Sequence, residues 1–233
     1  MAPSAVAHRA LDGVSYRIEG TDLDLRSTAT SAVELVVGGH LFEFTAGPAA
    51  LAEGMAASLG IDAFDTELAF QGGTLRTATT REYDPQSQLV ETPTLIAWQG
   101  RNHSLVTRLY RSGIEDVLAL LRTFRITEHD DGLSLAPDAG SDCRFAGPAA
   151  VLKEVPGLGL VEMSRRTKER SAQLPPWQGG KVPTGELYRD TLSDGRPFFV
   201  LSGSRLWATV VPLADTTVDD VPGLLARCTL RAV

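Results

Sequence analysis

A stretch that occurs twice is the sequence feature that most constrains the fold of this chain. Residues 112–126 combine an amphipathic helical pattern with the beginning of an alternating strand pattern, and residues 217–230 nearly repeat that combination. Two adjacent acids stand at matching places, at 115–116 and at 219–220, and a leucine pair follows each of them. A helix and a strand that recur in this way predict an internal duplication.

Further similarities follow in nearly the same order along the chain. The matching landmarks are Gly47-Pro48 with Gly147-Pro148, Phe42 with Cys143, Gln71 with Gln178, Tyr83 with Tyr188, Pro93 with Pro197 and Phe124 with Cys228. We therefore predict an α+β fold of two tandem repeats. Each repeat is expected to be a largely antiparallel sheet with short helices, and a pseudo-two-fold axis is expected to relate the two copies.

The predicted domain bounds follow from where these patterns start and stop. Residues 133–141 contain glycine, proline and polar side chains, which is typical of a linker. The predicted organisation is an N-terminal lead-in over 1–36, a first repeat over 37–132, this linker, and a second repeat over 142–233.

Short apolar runs that flank turn residues predict hairpins within the repeats. Three hairpins are predicted, at 32–44, 94–110 and 197–211. Trp98 and Trp207 lie in strands of these hairpins, at alternating apolar positions, and we expect both in the core.

Helix starts are indicated by proline and by capping residues. Proline at a first helical position predicts helices that begin at Pro48 and, in a shorter form, at Pro148. Ser112, with Glu115 three residues later, predicts a capping box at the start of the helix in 112–126.

Charge and composition restrict the classes of function. With 29 acids against 22 lysines and arginines, the net charge is −7, whereas nucleic acid and anionic membranes attract proteins that are basic at the contact. No apolar run reaches the ~20 residues of a membrane-spanning helix, and the N-terminus lacks the pattern of a signal peptide. We therefore expect a cytoplasmic protein that binds no nucleic acid and does not span a membrane.

No familiar catalytic or metal-binding constellation occurs in the sequence. The paired acids at 115–116 and 219–220 fall in a first helical turn, where the positive end of the helix dipole stabilises carboxylates. The four histidines lie in separate segments, and neither cysteine belongs to a CxxC pair. Cys143 and Cys228 match phenylalanines in the other copy, which indicates core positions. We expect no enzyme activity, no cofactor and no bound metal.

One basic cluster and one tryptophan are the predicted partner-binding residues. The cluster comprises Arg165, Arg166, Lys168 and Arg170, and it suits a contact with an acidic partner, although a solvated loop is the ordinary interpretation of such a run. Trp177 stands between a proline pair and a glycine pair, and aromatic residues are enriched at interfaces. The alternative for this tryptophan is that it folds back on the sheet.

The second half of the sequence, over 158–226, resembles the EspG family of type VII secretion chaperones. The residues that carry the resemblance are the basic cluster with Glu169, the run Leu174-Pro175-Pro176-Trp177, the turn Asp194-Gly195-Arg196, the strand Trp207-Ala208-Thr209-Val210 and the pair Leu224-Leu225. The resemblance implies two subdomains related by a pseudo-two-fold axis. It also implies a cytosolic, non-enzymatic protein that binds secretion substrates.

The sequence therefore favours a non-enzymatic factor that binds another protein: a chaperone, an adaptor or an immunity-type protein, with secretion as one setting. A second hypothesis is a structural component of a larger assembly, such as a phage-like or secretion particle. In that case the duplication would imitate a symmetric dimer. Independently of this hypothesis, the sequence is compatible with a homo-oligomer. A third is an enzyme or small-molecule binder with its site between the repeats, because ligand sites favour such interfaces.

Overall fold

A computed structural model describes residues 4–84, 88–110, 112–214 and 216–233 of the chain. Within these residues antiparallel strands dominate, and the helices are few and short. This arrangement agrees with the predicted α+β class. None of the helices in the described residues is long and apolar enough to cross a membrane.

The secondary-structure elements have the following bounds. The strands are β1 (Ser4–Arg9), β2 (Ser15–Gly20), β3 (Ala29–Val37), β4 (His40–Pro48), β5 (Thr66–Phe70), β6 (Gly73–Thr79), β7 (Glu82–Asp84), β8 (Leu89–Glu91), β9 (Pro93–Gln99), β10 (His103–Tyr110), β11 (Phe124–His129), β12 (Gly132–Pro137), β13 (Cys143–Phe145), β14 (Ala150–Val155), β15 (Gly159–Arg165), β16 (Gly180–Val182), β17 (Gly185–Thr191), β18 (Pro197–Ser202), β19 (Leu206–Val211) and β20 (Cys228–Ala232). The helices are α1 (Leu51–Ser58), α2 (Ile114–Leu121), α3 (Lys168–Ala172) and α4 (Val221–Leu225), with a 3₁₀ turn at Val218–Asp220 before α4.

The chain divides into two compact units, one of them made of the middle of the sequence and the other of its two ends. The central unit comprises Leu11–Gly13 and Ala32–Gly147. The terminal unit comprises Met1–Ala10, Val14–Ser31 and Pro148–Val233. The two ends of the sequence therefore contribute to one compact unit.

The central unit contains an antiparallel sheet with the strand order β13-β3-β4-β10-β9-β6-β5. At its middle, β9 and β10 pair in register from Gln99 with Ser104 to Pro93 with Tyr110, which confirms the hairpin predicted at 94–110. The β3–β4 hairpin predicted at 32–44 is also confirmed. Two further hairpins, β7–β8 and β11–β12, belong to the same unit.

The terminal unit contains six neighbouring antiparallel strands of a sheet, in the order β14-β15-β19-β18-β17-β16. Its β18–β19 hairpin pairs Ser202 with Trp207 and confirms the hairpin predicted at 197–211. A second antiparallel group in this unit has the order β1-β2-β20, in which Ile18 stands opposite Leu230.

The strands of the two larger sheets are connected in the same sequence. The terminal strands follow the order β14-β15-β19-β18-β17-β16 across the sheet, and the central strands follow the order β3-β4-β10-β9-β6-β5. Strands at the same place in these two orders also stand at the same place in the chain order of their own set. In each unit the last strand of the larger hairpin leads to a short helix and then to a strand, as α2 and β11 or as α4 and β20.

The apolar faces of these two helices are buried as their spacing predicts. The buried residues at matching places are Val117, Leu121 and Phe124 in the central unit and Val221, Leu225 and Cys228 in the terminal unit. Phe124 also packs edge-on against Phe44, with ring centroids 5.2 Å apart. These residues anchor each helix to its own unit.

The prediction that a helix begins at Pro148 is wrong, because residues 150–155 form β14. Val151, Lys153 and Val155 are buried whereas Glu154 between them is exposed, so the burial has the period of two of a strand. The same glycine-proline pair occurs at 47–48, but there Pro48 ends β4 and the helix α1 begins at Leu51 instead of at the proline. Only the residues after this first pair continue with a helical apolar spacing.

The predicted capping box at Ser112 lies one residue away from the observed cap. Gly113 is the N-cap of α2, and its backbone N–H donates to the carboxylate of Asp116 at 2.9 Å. The cap uses an acid three residues on, as predicted, but Asp116 supplies it instead of Glu115.

The segments that were predicted to be lead-in and linker contain strands. Residues 1–36 hold β1, β2 and most of β3, and residues 133–141 hold most of β12. Leu133 and Leu135 are buried on one side of β12, and this alternation outweighs the turn-forming residues that follow it. The bounds of the two predicted repeats themselves stay a prediction.

Candidate functional site

A groove of about 350 Å³ lies in the terminal unit between α3 and the sheet. Its floor is formed by residues of three neighbouring strands, namely Tyr188, Phe198, Val200, Trp207 and Thr209. Tyr188 stands opposite Val200, and Val200 stands opposite Thr209, in the strand register. Because directly opposed side chains project from the same face of a sheet, the floor is continuous. We call this site the α3 groove.

The floor of the α3 groove is mostly aromatic and apolar. Tyr188, Val200 and Trp207 form a buried cluster, and partly buried Leu174 and Phe198 pack against it. A concave, mostly apolar surface with a few polar groups at its rim is the usual form of a binding site.

The groove exists because α3 is short. This helix has five residues and buries none of them, and Pro175 and Pro176 follow shortly after its end. In the central unit, α1 has eight residues, and its buried Ala52 and Ala56 lie against the sheet. The corresponding face of the terminal sheet is therefore only partly covered by its own chain.

Arg170 forms one side of the α3 groove and is held by three contacts. Its guanidinium lies 3.3 Å from the carboxylate of Glu162 and 5.9 Å from the ring centroid of Trp207, and it also donates to the hydroxyl of Ser164. A cation over an indole face is attracted by the ring quadrupole. Arg170 is thereby oriented along the groove instead of extending into solvent.

The opposite rim carries an acid that is not neutralised. Asp190 is exposed and accepts a backbone N–H from Thr191 at 2.7 Å. No lysine or arginine among the residues that the structure describes lies within ion-pair distance of Asp190. The rim of the groove therefore presents one negative charge that is open to a partner.

Tyr188 is fixed in the floor by a strong hydrogen bond. Its hydroxyl donates to the carboxylate of Glu186 at 2.5 Å. This hydrogen bond, together with burial and the negative charge of Glu186, raises the pKa of Tyr188. The side chain is therefore a neutral part of the floor at physiological pH.

The structure separates the four residues of the predicted basic cluster. Arg170 lines the groove, whereas Arg166 donates to Ser171 at 2.8 Å and to the carbonyl of Gly203 at 3.1 Å, which ties α3 to the β18–β19 turn. Arg165 and Lys168 are exposed and do not line the groove. The role of these residues in partner binding remains a prediction.

Trp177 is 64% exposed, so it does not fold back on the sheet. It follows Leu174 and Pro175, both of which line the α3 groove. A Cβ atom at Gly179 would come within 2.9 Å of the Tyr188 ring, so glycine allows the chain to pass closely over β17. The exposed indole therefore lies on a segment that is attached to the groove.

The other acids considered for chemistry have structural roles. Glu115 and Asp116 lie in the first turn of α2, as predicted. Asp219 lies in the 3₁₀ turn before α4 and pairs with Arg189 at 3.6 Å. Neither pair of adjacent acids lines the α3 groove.

The histidines and cysteines also stay apart from the groove. His103 contacts Glu128 at 3.3 Å, and His129 contacts Ser134 at 2.8 Å, in the central unit. Across the described ranges, no three histidine, cysteine or acidic side chains gather in a way that could hold a metal ion. Both cysteines are buried, and burial raises the pKa of Cys228 to about 11.

A second groove, of about 380 Å³, lies beside α1 in the central unit. Its apolar lining is mostly aliphatic and includes Met55, Leu95 and Val106. Arg108, which also lines it, is neutralised by Glu82 at 2.5 Å. The exposed Glu43 and Tyr110 also line this groove, but its floor lacks the aromatic cluster of the α3 groove.

Sequence reasoning found two residues of the site and missed most of its floor. Arg170 and Trp177 were singled out, but Trp207 was expected in the core. Trp207 is indeed buried, yet one side of its ring forms the groove. The alternation of Phe198 with Val200 was the available signal, but it does not tell a covered face from an open one.

No protein-family model, no curated protein and no solved structure matches this chain. The function has to be inferred from the chemistry of the groove itself.

Proposed function

We propose that this chain is a non-enzymatic factor that binds another protein through the α3 groove and Trp177. The observation that carries the proposal is an open groove with an aromatic floor beside an exposed tryptophan. Tryptophan, tyrosine and arginine dominate the binding energy of protein interfaces. Trp207, Tyr188 and Arg170 supply these residue types within one groove, and Trp177 adds another close by.

The ionisable groups of the α3 groove are engaged in hydrogen bonds or ion pairs, which supports binding of a partner more than proton transfer. Tyr188 is engaged with Glu186, and Arg170 with Glu162. Groups held in this way are oriented for contact, whereas a general acid or base needs a group that exchanges protons near neutral pH.

The setting of this activity is proposed from the sequence. The resemblance of residues 158–226 to the EspG family supports a chaperone that accompanies a secretion substrate in the cytoplasm. The acidic net charge of −7 supports a soluble adaptor with a basic partner.

We further propose that the chain arose by duplication, with repeats that differ from the predicted ones. If the copies span 15–129 and 132–232, the strands that occupy matching places in the two sheet orders described above become equivalent. A matching backbone hydrogen bond in two hairpin turns supports this alignment. The N–H of Gly100 donates to the carbonyl of His103 in one turn, and the N–H of Gly203 donates to the carbonyl of Leu206 in the other, at 2.9 Å in both.

The first strands of the two proposed copies make equivalent strand pairs. In the terminal unit, β2 pairs with β20 and places Ile18 opposite Leu230. In the central unit, β12 pairs with β11 and places Leu135 opposite Ile126. Each first strand would thus pair with the last strand of the other copy. Gly47 and Gly147 are then not equivalent, because the first lies within β4 and the second precedes β14.

Site-specific cross-linking in the native cell tests the proposed function. A photoreactive amino acid at position 177 should capture a stoichiometric protein partner, and Thr209→Arg, which fills the groove, should abolish that adduct. The same photoreactive residue at exposed position 67, on β5 of the central unit, serves as the matched control.

The cross-linking result distinguishes a protein partner from a small-molecule ligand. A protein adduct that forms at 177, not at 67, and that depends on an open groove supports the proposal. If position 177 yields no protein adduct while a small molecule is retained by the purified chain, the proposed function is wrong.

A further inference from the structure

We propose that the occupant of the α3 groove is a short amphipathic helix of the partner, with aliphatic residues on one face and a lysine or arginine beside them. This inference rests on the proposed function and names the chemical class of the partner segment.

The chain itself shows how such a face is covered. In the central unit, α1 lies on β9 and β10, with Ala52 and Ala56 in contact with Leu95, Ala97 and Val106. These two alanines are four residues apart, so they share one face of the helix. Helix packing is the common way to bury the apolar face of a sheet.

The equivalent face in the terminal unit lacks the second half of that helix. α3 ends at Ala172, and the chain then passes through Leu174 and Pro175 at the margin of the groove. Phe198 and Thr209 remain partly exposed on the groove side. A helix from another protein would supply the cover that α1 supplies in the central unit.

Charge complementarity specifies the polar side of this helix. Asp190 lies on the rim with no cationic partner among the described residues, whereas Glu162 is already paired with Arg170. A lysine or arginine one turn from the aliphatic anchor would neutralise Asp190. An acidic segment would instead meet two carboxylates across the groove and one arginine that is already engaged.

The edge of the same sheet argues against an extended peptide. β16 is the outermost strand, has only three residues and carries Lys181. Short edge strands that bear lysine are a common protection against strand addition. An extended partner would therefore find a poor template beside the groove, whereas a helix needs no free strand edge.

Synthetic peptides provide a direct test with the full-length chain. The probe is a helix-stabilised peptide that copies residues 50–61, with Gly54→Ala for helicity and Glu53→Lys to face Asp190. Binding is followed by calorimetry and by tryptophan fluorescence, since Trp177 and Trp207 both report on the groove. A second peptide retains Glu53, and a third carries Ala56→Pro, which prevents a continuous helix.

We expect the lysine peptide to bind and Thr209→Arg to weaken it at least tenfold. Thr191→Arg is the matched control, because Thr191 is exposed on β17 next to Asp190 but points to the other face, and it should leave affinity unchanged. Asp190→Asn should weaken the lysine peptide severalfold, whereas binding of the Glu53 peptide should be no weaker, because the substitution removes a like charge that repels it.

The inference is overturned by equal binding of the Ala56→Pro peptide, by binding that survives Thr209→Arg, or by no binding up to about 1 mM peptide. If those results appear while the cross-link at 177 still depends on an open groove, the proposed function stands and only the helical class of the partner is wrong.

Discussion

At the residue scale, a single carboxylate holds the turn between β9 and β10. Glu128 accepts backbone N–H groups from Arg101, Asn102 and His103 at 2.8–3.0 Å, at the turn between β9 and β10. Burial alone would raise the pKa of Glu128, but these hydrogen bonds outweigh it and the pKa lies below its usual value.

The Glu128 carboxylate should therefore contribute measurable stability. We expect Glu128→Ala to lower the free energy of unfolding by about 2 kcal/mol, because three backbone donors lose a charged acceptor. A pKa lowered by folding means that this stability is present above the usual glutamate range and is lost as the pH falls through the folded-state value. Urea titrations from pH 7 to pH 3 check both points, and exposed Glu67→Ala on β5 is the control.

Lys153 gives a dependence on pH of the same sign as Glu128, but in the alkaline range. It is only 1% exposed, and its ammonium donates to the hydroxyl of Ser27 at 3.0 Å and to the carbonyl of the same residue. Burial lowers the pKa of Lys153, although the nearby Asp24 opposes this. The unfolded chain binds the proton more tightly, so stability should rise between the lowered pKa and the ordinary value of 10.5.

Comparison with Lys153→Met isolates this contribution of Lys153. The wild-type protein should gain unfolding free energy relative to the variant as the pH is raised toward 10.5, and exposed Lys168→Met should show no such trend. A constant difference between wild type and Lys153→Met across this pH range would contradict the assigned burial.

At the scale of elements, α1 offers a matched pair of substitutions. A Cβ atom at Gly54 meets no atom within 4 Å, so Gly54→Ala should stabilise the protein by about 0.5–1 kcal/mol through helix propensity. Ala52 is fully buried against the sheet, so Ala52→Leu should cost about 1–3 kcal/mol through overpacking. Thermal unfolding of both variants checks the assignment, and a stabilising Ala52→Leu would show that this helix face is not packed.

Elements with strong local signals could be predicted from the sequence, whereas the site could not. The β9–β10 and β18–β19 hairpins follow from apolar runs around turns. The failure at Pro148 shows the limit of this approach, because the same glycine-proline pair precedes a helix in one place and a strand in the other. The α3 groove depends on how far α3 extends over its sheet, and no residue pattern states whether a face is covered.

At the scale of the whole molecule, the strands outside the predicted repeats should matter as much as those within them. Ile18 is 1% exposed in β2 and Leu135 is 4% exposed in β12. Each truncation, Ile18→Ala and Leu135→Ala, should cost about 2–5 kcal/mol, because each leaves a cavity in a unit core. Leu41→Ala, at a residue that is 58% exposed, is the control.

Substantial losses at both positions are what the proposed copies over 15–129 and 132–232 predict, because each residue then lies in the first strand of a copy. A negligible cost for Leu135→Ala would instead favour the prediction that residues 133–141 serve as a linker between repeats.

Hydrogen exchange on the captured complex tests the central claim most directly. When the partner is bound, we expect slower amide exchange in residues 168–179, which contain α3 and the segment that leads to Trp177, and little change in the β7–β8 hairpin. Protection confined to the central unit, with residues 168–179 exchanging as fast as in the free chain, would contradict the assignment of the α3 groove as the binding site.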